Sequence, residues 1–243
     1  MIVYIDEVGM SSIAGPVLTC AMVFKDGTTP VSGVKDSKKL TKNKRNELYK
    51  KLITYPHSFG TASIKEIKEM NVFWARFLAM RRAIEGFVSI GMNISKIIVD
   101  GKFTIPDLEI EQEAIIKADA KFWQVGAASI LAKVKRDTLM EDLGKKEEYS
   151  HYDWKNNAGY YSPSHRSGIV LHGPCDLHRK EFVYFKYCLA RHKEYANFIK
   201  QGNNPDDFLK DQIVDGKRKS DYTLWKEAKK QLWQPILPNV EMK

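Results

Sequence analysis

The sequence predicts an α/β fold, in which helices pack against a central sheet. Short runs rich in β-branched residues, at 2–5 and 17–24, are typical of buried strands. Between such runs lie longer segments whose apolar residues recur at steps of three and four, as in amphipathic helices. The 243 residues are 43% hydrophobic and 28% charged, which suits a globular chain that buries its core without disulfides or a structural metal.

The first half of the chain supplies two strands and two helices. Gly15-Pro16 marks a turn between the strands, and Asp26-Gly27 marks another turn after the second strand. Residues 41–53 predict a basic helix with Thr41 as its N-cap. Residues 64–87 carry one continuous apolar stripe, which predicts a long helix whose stripe belongs to the core.

The second half predicts a further strand and two more helices. The β-branched residues at 94–99 indicate a strand. A segment rich in small residues at 127–143, ending at Gly144, indicates a helix, and the aromatic-rich segment 181–200 indicates another. The alternation of strands and helices therefore continues as far as residue 200.

A compositional break, Gly202-Asn203-Asn204-Pro205, follows the last of these helices. We place a boundary there, between a domain of residues 1–200 and an extension of residues 201–243. The extension has one helical candidate, at 221–233. Its sequence does not indicate a role.

Charge and cysteine content narrow the class of protein. The formal net charge of +9 favours a polyanionic partner such as nucleic acid, although a basic protein without such a partner stays an alternative. Cys20, Cys175 and Cys188 include no C-x-x-C spacing, which argues for reduced thiols in the cytoplasm and against a zinc site. No apolar stretch is long enough to cross a bilayer, so we expect a soluble protein that does not bind membranes.

Four acidic residues occupy unusual positions. Asp6 and Glu7 interrupt an apolar strand, Asp100 ends another, and Asp119 stands among apolar residues shortly before a helix. Because successive strand residues face opposite sides, we expect one of Asp6 and Glu7 to point towards an interior or a cleft. A buried carboxylate needs a partner, and a hard divalent cation, a basic side chain or a strand-end cap would each provide one. The positions alone do not decide between these alternatives.

A series of short motifs in one order makes the sequence resemble the type 2 ribonucleases H over roughly residues 1–190. No single motif is specific, but the whole set is. The motifs are Tyr4-Ile5-Asp6-Glu7-Val8-Gly9, Ala14-Gly15-Pro16-Val17, Asp36-Ser37-Lys38-Lys39-Leu40, Asn71 with Ala79-Met80, Val99-Asp100-Gly101, Lys117-Ala118-Asp119-Ala120, residues 127–134, Arg136-Asp137, Gly159-Tyr160 with His165, and Gly173-Pro174 with His178-Arg179.

The resemblance implies a ribonuclease H-like fold, a mixed central sheet flanked by helices with a helical C-terminal portion. It implies endonucleolytic cleavage of RNA in RNA–DNA hybrids, or at single ribonucleotides in duplex DNA, leaving a 3′-hydroxyl and a 5′-phosphate. By match to the family motifs, Asp6, Glu7, Asp100 and Asp119 would be catalytic and would bind two Mg²⁺ or Mn²⁺ ions. Two such ions activate water and stabilise the leaving oxygen, and Asp6 is the candidate that bridges them.

The same resemblance implies the substrate contacts. Ser37, Lys38 and Lys39 match a loop that contacts phosphate, and Tyr160 matches a tyrosine that packs on the sugar at the junction between ribonucleotide and deoxyribonucleotide. Three further matching residues are expected to be structural: His165, His178 and Arg179.

One departure from the family pattern lies in the loop that reads the 2′-hydroxyl. The family usually has Gly-Arg-Gly where this chain has Gly9-Met10-Ser11. Met10 supplies no guanidinium, and Ser11 has less backbone freedom than glycine. We therefore expect a monomeric enzyme that cleaves hybrids with altered junction specificity. A hybrid-binding protein that has lost turnover and a resolvase of the same fold are the alternatives, and the family's phosphate loop and Gly159-Tyr160 disfavour the resolvase.

Overall fold

A mixed five-stranded sheet forms the centre of the protein. The computed structural model describes residues 1–208, 213–214 and 217–218. The sheet has the order β3-β2-β1-β4-β5, with β1 antiparallel to β2 and parallel to β4. The strands are β1 (Ile2–Val8), β2 (Val17–Val23), β3 (His57–Ala62), β4 (Lys96–Asp100) and β5 (Glu111–Ile115). The predicted α/β class and mixed sheet are thus confirmed.

All four helices expected from the sequence are present. The helices are α1 (Lys42–Leu52), α2 (Ile64–Val88), α3 (Ala118–Lys121), α4 (Trp123–Gly144), α5 (Trp154–Asn157), α6 (Pro163–His172), α7 (Val183–Lys200) and α8 (Pro205–Phe208), with 3-10 turns at Ser37–Lys39 and Glu147–Tyr152. Thr41 caps α1 as predicted, because its hydroxyl accepts a hydrogen bond from the Lys44 amide. A two-residue ladder, β6 (Ile213–Val214) with β7 (Lys217–Arg218), lies apart from the main sheet. The helix candidate at 221–233 lies outside the described residues.

The two faces of the sheet are covered by different helices. Val3 and Ile5 of β1 pack with α2, whereas Tyr4 and Val8 of the same strand pack on the α4 side. This alternation is what a strand buried on both faces requires. The C-terminal residues of β1 therefore lie between α2 on one face of the sheet and α4 on the other.

Helix α2 is kinked at Asn71, and the kink changes which residues it buries. Asn71 adopts φ 64° and ψ 166°, and its side-chain oxygen accepts hydrogen bonds from the amides of Phe73 and Trp74. It thus caps a second helical segment within α2. The apolar stripe that the sequence assigns to the core includes Phe73, and this part of the prediction is wrong, since Phe73 is 36% exposed.

The C-terminal helices form a third cluster beside the sheet. Trp154, Ile169 and Phe185 are buried in it, together with Ile13 from the loop after β1. The break predicted near residue 202 falls between α7 and α8, and Phe208 of α8 packs edge-on against Tyr195 of α7. No helix among the described residues combines the length and apolar character needed to cross a bilayer.

Candidate active site

Asp6 and Asp100 lie side by side at the carboxyl ends of two parallel strands. Ile5 of β1 pairs with Val99 of β4, so the next residue of each strand is one of the two acids. Parallel neighbours of this kind are separated by about 4.8 Å across the sheet. One Asp100 carboxylate oxygen accepts a hydrogen bond of 2.7 Å from the Ala118 amide, which fixes the end of β4 against the start of α3.

Asp6 is a buried acid held by hydroxyl and amide donors. It is 8% exposed, and its carboxylate accepts hydrogen bonds from the Glu7 amide at 2.8 Å and from the Ser129 hydroxyl. The Ser129 and Ser37 oxygens are 2.9 Å apart, so Ser37 supports the Ser129 contact. Burial first, and then the charges of Glu7 and Asp100, raise the pKa of Asp6 well above its usual value despite these donors.

Glu7 lies on the other face of β1, towards α2. The pKa of its carboxyl is raised to about 7, chiefly by burial; the Arg76 guanidinium on α2 opposes this rise and the charge of Asp100 adds to it. The Oε2 atom of Glu7 is buried and has no hydrogen-bond partner among the described residues. The sequence predicts that one of Asp6 and Glu7 points towards an interior or a cleft, and in the structure both acids border the cleft.

Asp119 joins the acids from the first turn of α3. Burial raises the pKa of Asp119, as do the nearby charges of Asp100 and Asp36, while Lys38 lowers it. The four predicted acids are thus brought into one electrostatic neighbourhood. Among the described residues, however, no three His, Cys, Asp or Glu side chains are gathered tightly enough to form a metal site as they stand.

The donor set nevertheless fits hard divalent cations. Within residues 1–208, no lysine or arginine forms an ion pair with Asp6, Glu7, Asp100 or Asp119. Clustered carboxylates without a basic partner are costly, and a divalent cation with oxygen ligands relieves that cost. Mg²⁺ takes only some of its ligands from protein and the rest from water and substrate phosphate. The four acids can therefore supply part of the coordination shell, which water and substrate would complete.

A cleft of about 360 Å³ opens above these acids. It is lined by Asp6, Glu7, Val8, Gly9, Met10, Ser11, Ser37, Lys38, Ser129, Lys133 and Tyr160. Three residues of the predicted site do not line it: Lys39, Asp100 and Asp119. Ser37 is 3% exposed and bonded to Ser129, so its hydroxyl supports Asp6 rather than facing solvent, whereas Lys38 lines the cleft.

Tyr160 and Lys133 line the cleft and contact each other. The Lys133 ammonium is 4.7 Å from the centre of the Tyr160 ring and 2.9 Å from an Asp137 oxygen. The sequence spacing predicts only the ion pair of Lys133 and Asp137 along α4. The structure adds that Lys133 contributes a positive charge next to the candidate sugar-binding ring.

Two buried arginines hold the loop after β1. Arg179 donates hydrogen bonds to the carbonyl oxygens of Gly9 at 2.6 Å and Gly15 at 2.7 and 2.9 Å. Arg136 donates to the carbonyls of Ala14 and Pro16. Both arginines are fully buried. The loop is therefore fixed from below by charge-assisted bonds to its backbone.

The loop backbone accommodates the unusual residues of this chain. Gly9 has φ +94°, and a Cβ there would lie 2.4 Å from the Arg136 Nε atom, so this position requires glycine. Neither Met10 nor Ser11 has a positive φ, so serine causes no left-handed strain. The amides of Met10 and Ser11 donate no hydrogen bond to any described residue. Two N–H groups are thus free to meet a ligand.

A buried histidine pair fixes the backbone of Tyr160. Trp154 Nε1 donates to His165 Nε2 at 2.9 Å, and His178 Nε2 lies 3.1 Å from the same atom. The Cys175 amide donates to His178 Nδ1, so both rings are neutral and His165 Nδ1 donates to the Tyr160 carbonyl at 2.9 Å. These histidines therefore hold the backbone of Tyr160 in position, which is a structural role.

Sequence reasoning missed three residues at this site. Ser129 lies in a motif that carried the resemblance, but its bond to Asp6 depends on how α4 packs on β1. Lys133 is assigned only to an ion pair. Arg76 belongs to none of the motifs, and its position near Glu7 depends on how α2 packs on β1.

A mixed sheet with acids at the ends of its central parallel strands, beside a cleft that two lysines also line, defines a nuclease of the ribonuclease H-like class. A family model described as Ribonuclease HII matches residues 3–189. The chain belongs to the ribonuclease HII family, whose members are metal-dependent endonucleases that cleave the RNA of RNA–DNA hybrids.

Individual relatives agree with this assignment. The chain is 42% identical over 184 residues to ribonuclease HII of Staphylococcus saprophyticus, an alignment that covers 75% of this chain and 69% of the relative. Its structure is similar to the crystal structure of ribonuclease H2 from Pyrococcus horikoshii OT3, with a TM-score of 0.62, 27% identity and coverage of 79% and 99%. A structure titled Bst-RNase HIII in complex with Mn²⁺ shares the fold, with a TM-score of 0.61, 19% identity and coverage of 79% and 70%.

Proposed function

We propose that this chain hydrolyses the RNA strand of RNA–DNA hybrids with two divalent cations, Mg²⁺ or Mn²⁺, held by Asp6, Glu7, Asp100 and Asp119. Such cations, when bound, activate the attacking water and stabilise the leaving 3′-oxygen. The products are a 3′-hydroxyl and a 5′-phosphate.

One observation carries this proposal. Asp6 and Asp100 end adjacent parallel strands, the charge of Asp100 raises the pKa values of Asp6, Glu7 and Asp119, and no described basic residue forms an ion pair with these acids. A purely structural acid pair would be expected to face a lysine or arginine. The remaining acids, Glu7 and Asp119, both lie close enough to Asp100 for its charge to raise their pKa values.

The surrounding residues bind and orient the substrate. Lys38, from the turn at Ser37–Lys39, supplies a positive charge at the cleft for a backbone phosphate, and we assign Lys39 to the same strand of substrate outside the cleft. The free amides of Met10 and Ser11 would donate to a 2′-hydroxyl, with Gly9 providing the close approach. Tyr160 would pack on the neighbouring sugar.

The test is cleavage of an end-labelled RNA–DNA hybrid with Mg²⁺ or Mn²⁺, compared with EDTA. Asp100→Asn should lower kcat by at least a hundredfold, because it removes a charged ligand. The matched control is Asp107→Asn, since Asp107 is exposed, pairs with Arg81 and lies outside the acidic cluster. Binding without cleavage under all metal conditions would reject the nuclease and leave a hybrid-binding protein.

We further propose that the loop alters junction specificity. The backbone donors for a 2′-hydroxyl are in place at Met10 and Ser11, but the guanidinium expected from the family pattern is missing. Cleavage of a duplex with one embedded ribonucleotide should therefore be slow relative to an all-RNA hybrid. The double variant Met10→Arg, Ser11→Gly should raise that ratio. Equal cleavage of both substrates by the unaltered chain would reject this proposal.

We also propose that residues 1–200 form a monomeric catalytic domain and that residues 201–243 are an extension, working in a reducing cytoplasm. The three cysteines are all free thiols, which supports a reducing environment. Truncation after residue 200 should retain hybrid cleavage, and light scattering should give the mass of one chain. Loss of cleavage in a truncated protein that remains folded would reject the division.

A further inference from the structure

An exposed aromatic surface adjoins the acids and is not used by the proposed function. Phe73 is 36% exposed, Trp74 49% and Phe103 51%. The Phe73 ring packs edge-on against Trp74 at 5.2 Å and against Phe103 at 5.5 Å between ring centres. We call these three rings, with Arg76 and Lys102, the Arg76 patch.

Arg76 lies against two aromatic rings of the patch and has unused hydrogen-bond donors. Its guanidinium carbon is 4.5 Å from the ring centre of Phe73 and 5.5 Å from that of Phe103, so the cation lies over aromatic faces. Its Nε and Nη2 atoms are buried and have no hydrogen-bond partner among the described residues. Buried donors without an acceptor are unfavourable, which indicates that a ligand completes them.

The patch is continuous with the acidic cluster. The charge of Arg76 is close enough to Glu7 to lower the pKa of that carboxyl, yet the two form no ion pair within 4.0 Å. Lys102 and Phe103 follow Asp100 after a single glycine. A groove lined by Phe73, Trp74, Lys102, Phe103 and neighbouring residues runs along this surface.

We propose that the Arg76 patch is a second substrate-binding subsite, in which Arg76 binds a backbone phosphate next to the scissile one while Trp74 and Phe103 stack on the adjoining nucleotide. The inference rests on the proposed function, because it extends the same nucleic acid beyond the cleft.

The chemistry of the patch selects this occupant. Guanidinium groups form paired hydrogen bonds with phosphate, and stacking of aromatic rings on bases is tolerant of sequence. The two cations, Arg76 and Lys102, complement a polyanion, and the patch lies against the site where that polyanion would be cut. An apolar peptide would leave both donors of Arg76 unpaired.

The test is the salt dependence of binding, measured by fluorescence anisotropy with a short RNA–DNA hybrid in EDTA, where no cleavage occurs. Loss of one phosphate contact should reduce the slope of log affinity against log salt by about 0.7–0.9. We expect this reduction in Arg76→Gln, together with weaker binding, and an unchanged slope in Arg76→Lys. Trp74→Ala and Phe103→Ala should weaken binding about tenfold with the slope retained.

Arg82→Gln is the matched control. Arg82 is on the same helix and is already paired with Glu66, so its loss should leave the slope unchanged. An unchanged slope in Arg76→Gln, or an equal reduction in Arg82→Gln, would overturn the subsite. If the unaltered chain cuts hybrids but Arg76→Gln keeps its slope, the subsite fails and the proposed function stands. If the chain binds with an Arg76-dependent slope but cuts nothing, the proposed function fails and the subsite stands.

Discussion

Acid should weaken the fold through the buried pair His165 and His178, and the size of the effect follows from their burial. Burial lowers the pKa of His165 from 6.5 to about 4 and that of His178 to about 3, in the latter case helped by His165 itself. Both rings therefore stay neutral in the folded chain at pH 5, whereas in the unfolded chain each binds a proton. Their contribution to stability is fully present above pH 6.5 and is lost as pH falls below it. At pH 5 the loss is about 2 kcal/mol for each histidine, at about 1.36 kcal/mol per pH unit.

The catalytic acids act in the opposite direction over the same range. The pKa of Glu7 is raised to about 7 and that of Asp6 is also raised, so the folded chain binds protons there that the unfolded chain releases above about pH 4.5. Their contribution decreases as pH rises. The histidine and acid effects oppose each other in the unaltered protein, so only a difference between variants isolates the histidines.

Urea unfolding of His178→Asn and of the unaltered chain at pH 6.5 and 5 measures that difference. Asparagine places its oxygen near Nδ1, so the Cys175 amide keeps an acceptor while the titrating ring is gone. We expect the variant to be less stable at pH 6.5 but to lose about 2 kcal/mol less than the unaltered chain on going to pH 5. Tyr152→Phe is the control, because it removes a buried 2.8 Å hydrogen bond to the Gly173 carbonyl in the same cluster without a group that titrates in acid. Parallel pH dependence in His178→Asn and the unaltered chain would refute the reasoning.

Three further predictions concern the cleft and its supports. Mg²⁺ binding should release protons and tighten as pH rises from 6 to 8, because the raised pKa values of Asp6 and Glu7 make protons compete with the cation. Calorimetry in two buffers of different ionisation enthalpy should show this proton release. Equal binding heats in both buffers would contradict it. Ser129→Ala should weaken Mg²⁺ binding about tenfold, as expected for one lost hydrogen bond to a charged group. Ser164→Ala, at an exposed serine of α6, should have no effect in the same titration. Gly9→Ala should lower the free energy of unfolding, measured in urea, by about 2–4 kcal/mol, because it combines a positive φ with a clash against Arg136. Gly27→Ala is the control, since Gly27 has a positive φ but open space around it, and it should lower that free energy by less. Equal losses in the two variants would contradict the clash.

The sequence predicts the parts of the fold that carry a strong pattern and misses those that do not. Strands β1, β2 and β4 are apolar and β-branched, and all three are found. Strand β5, with the sequence Glu111–Ile115, is partly exposed and mostly polar, so no alternation marks it. Strand β3 contains Gly60 and a histidine and forms because it pairs with β2 across a long connection.

The candidate site divides in the same way. The four acids stand out because carboxylates within apolar segments are rare, and this signal can be read from the sequence alone. The roles of Ser129 and Arg76 depend instead on tertiary packing. Ser129 reaches Asp6 only because α4 crosses β1, and Arg76 faces Glu7 only because α2 covers the other side of the same strand and is kinked at Asn71.

The separation of charge across the cleft explains why the acids stay available for cations. Arg136 and Arg179 are buried beneath the loop after β1, and neither forms an ion pair with the four candidate acids. Instead, the Nε, Nη1 and Nη2 atoms of both donate to backbone carbonyls. Burial lowers the pKa of Arg179 to about 9, which leaves it protonated at neutral pH. Saturating the guanidinium groups with neutral acceptors keeps their positive charge beneath the loop, and Asp6, Glu7, Asp100 and Asp119 are left without an ion pair among the described residues. Their oxygens therefore stay available to a cation.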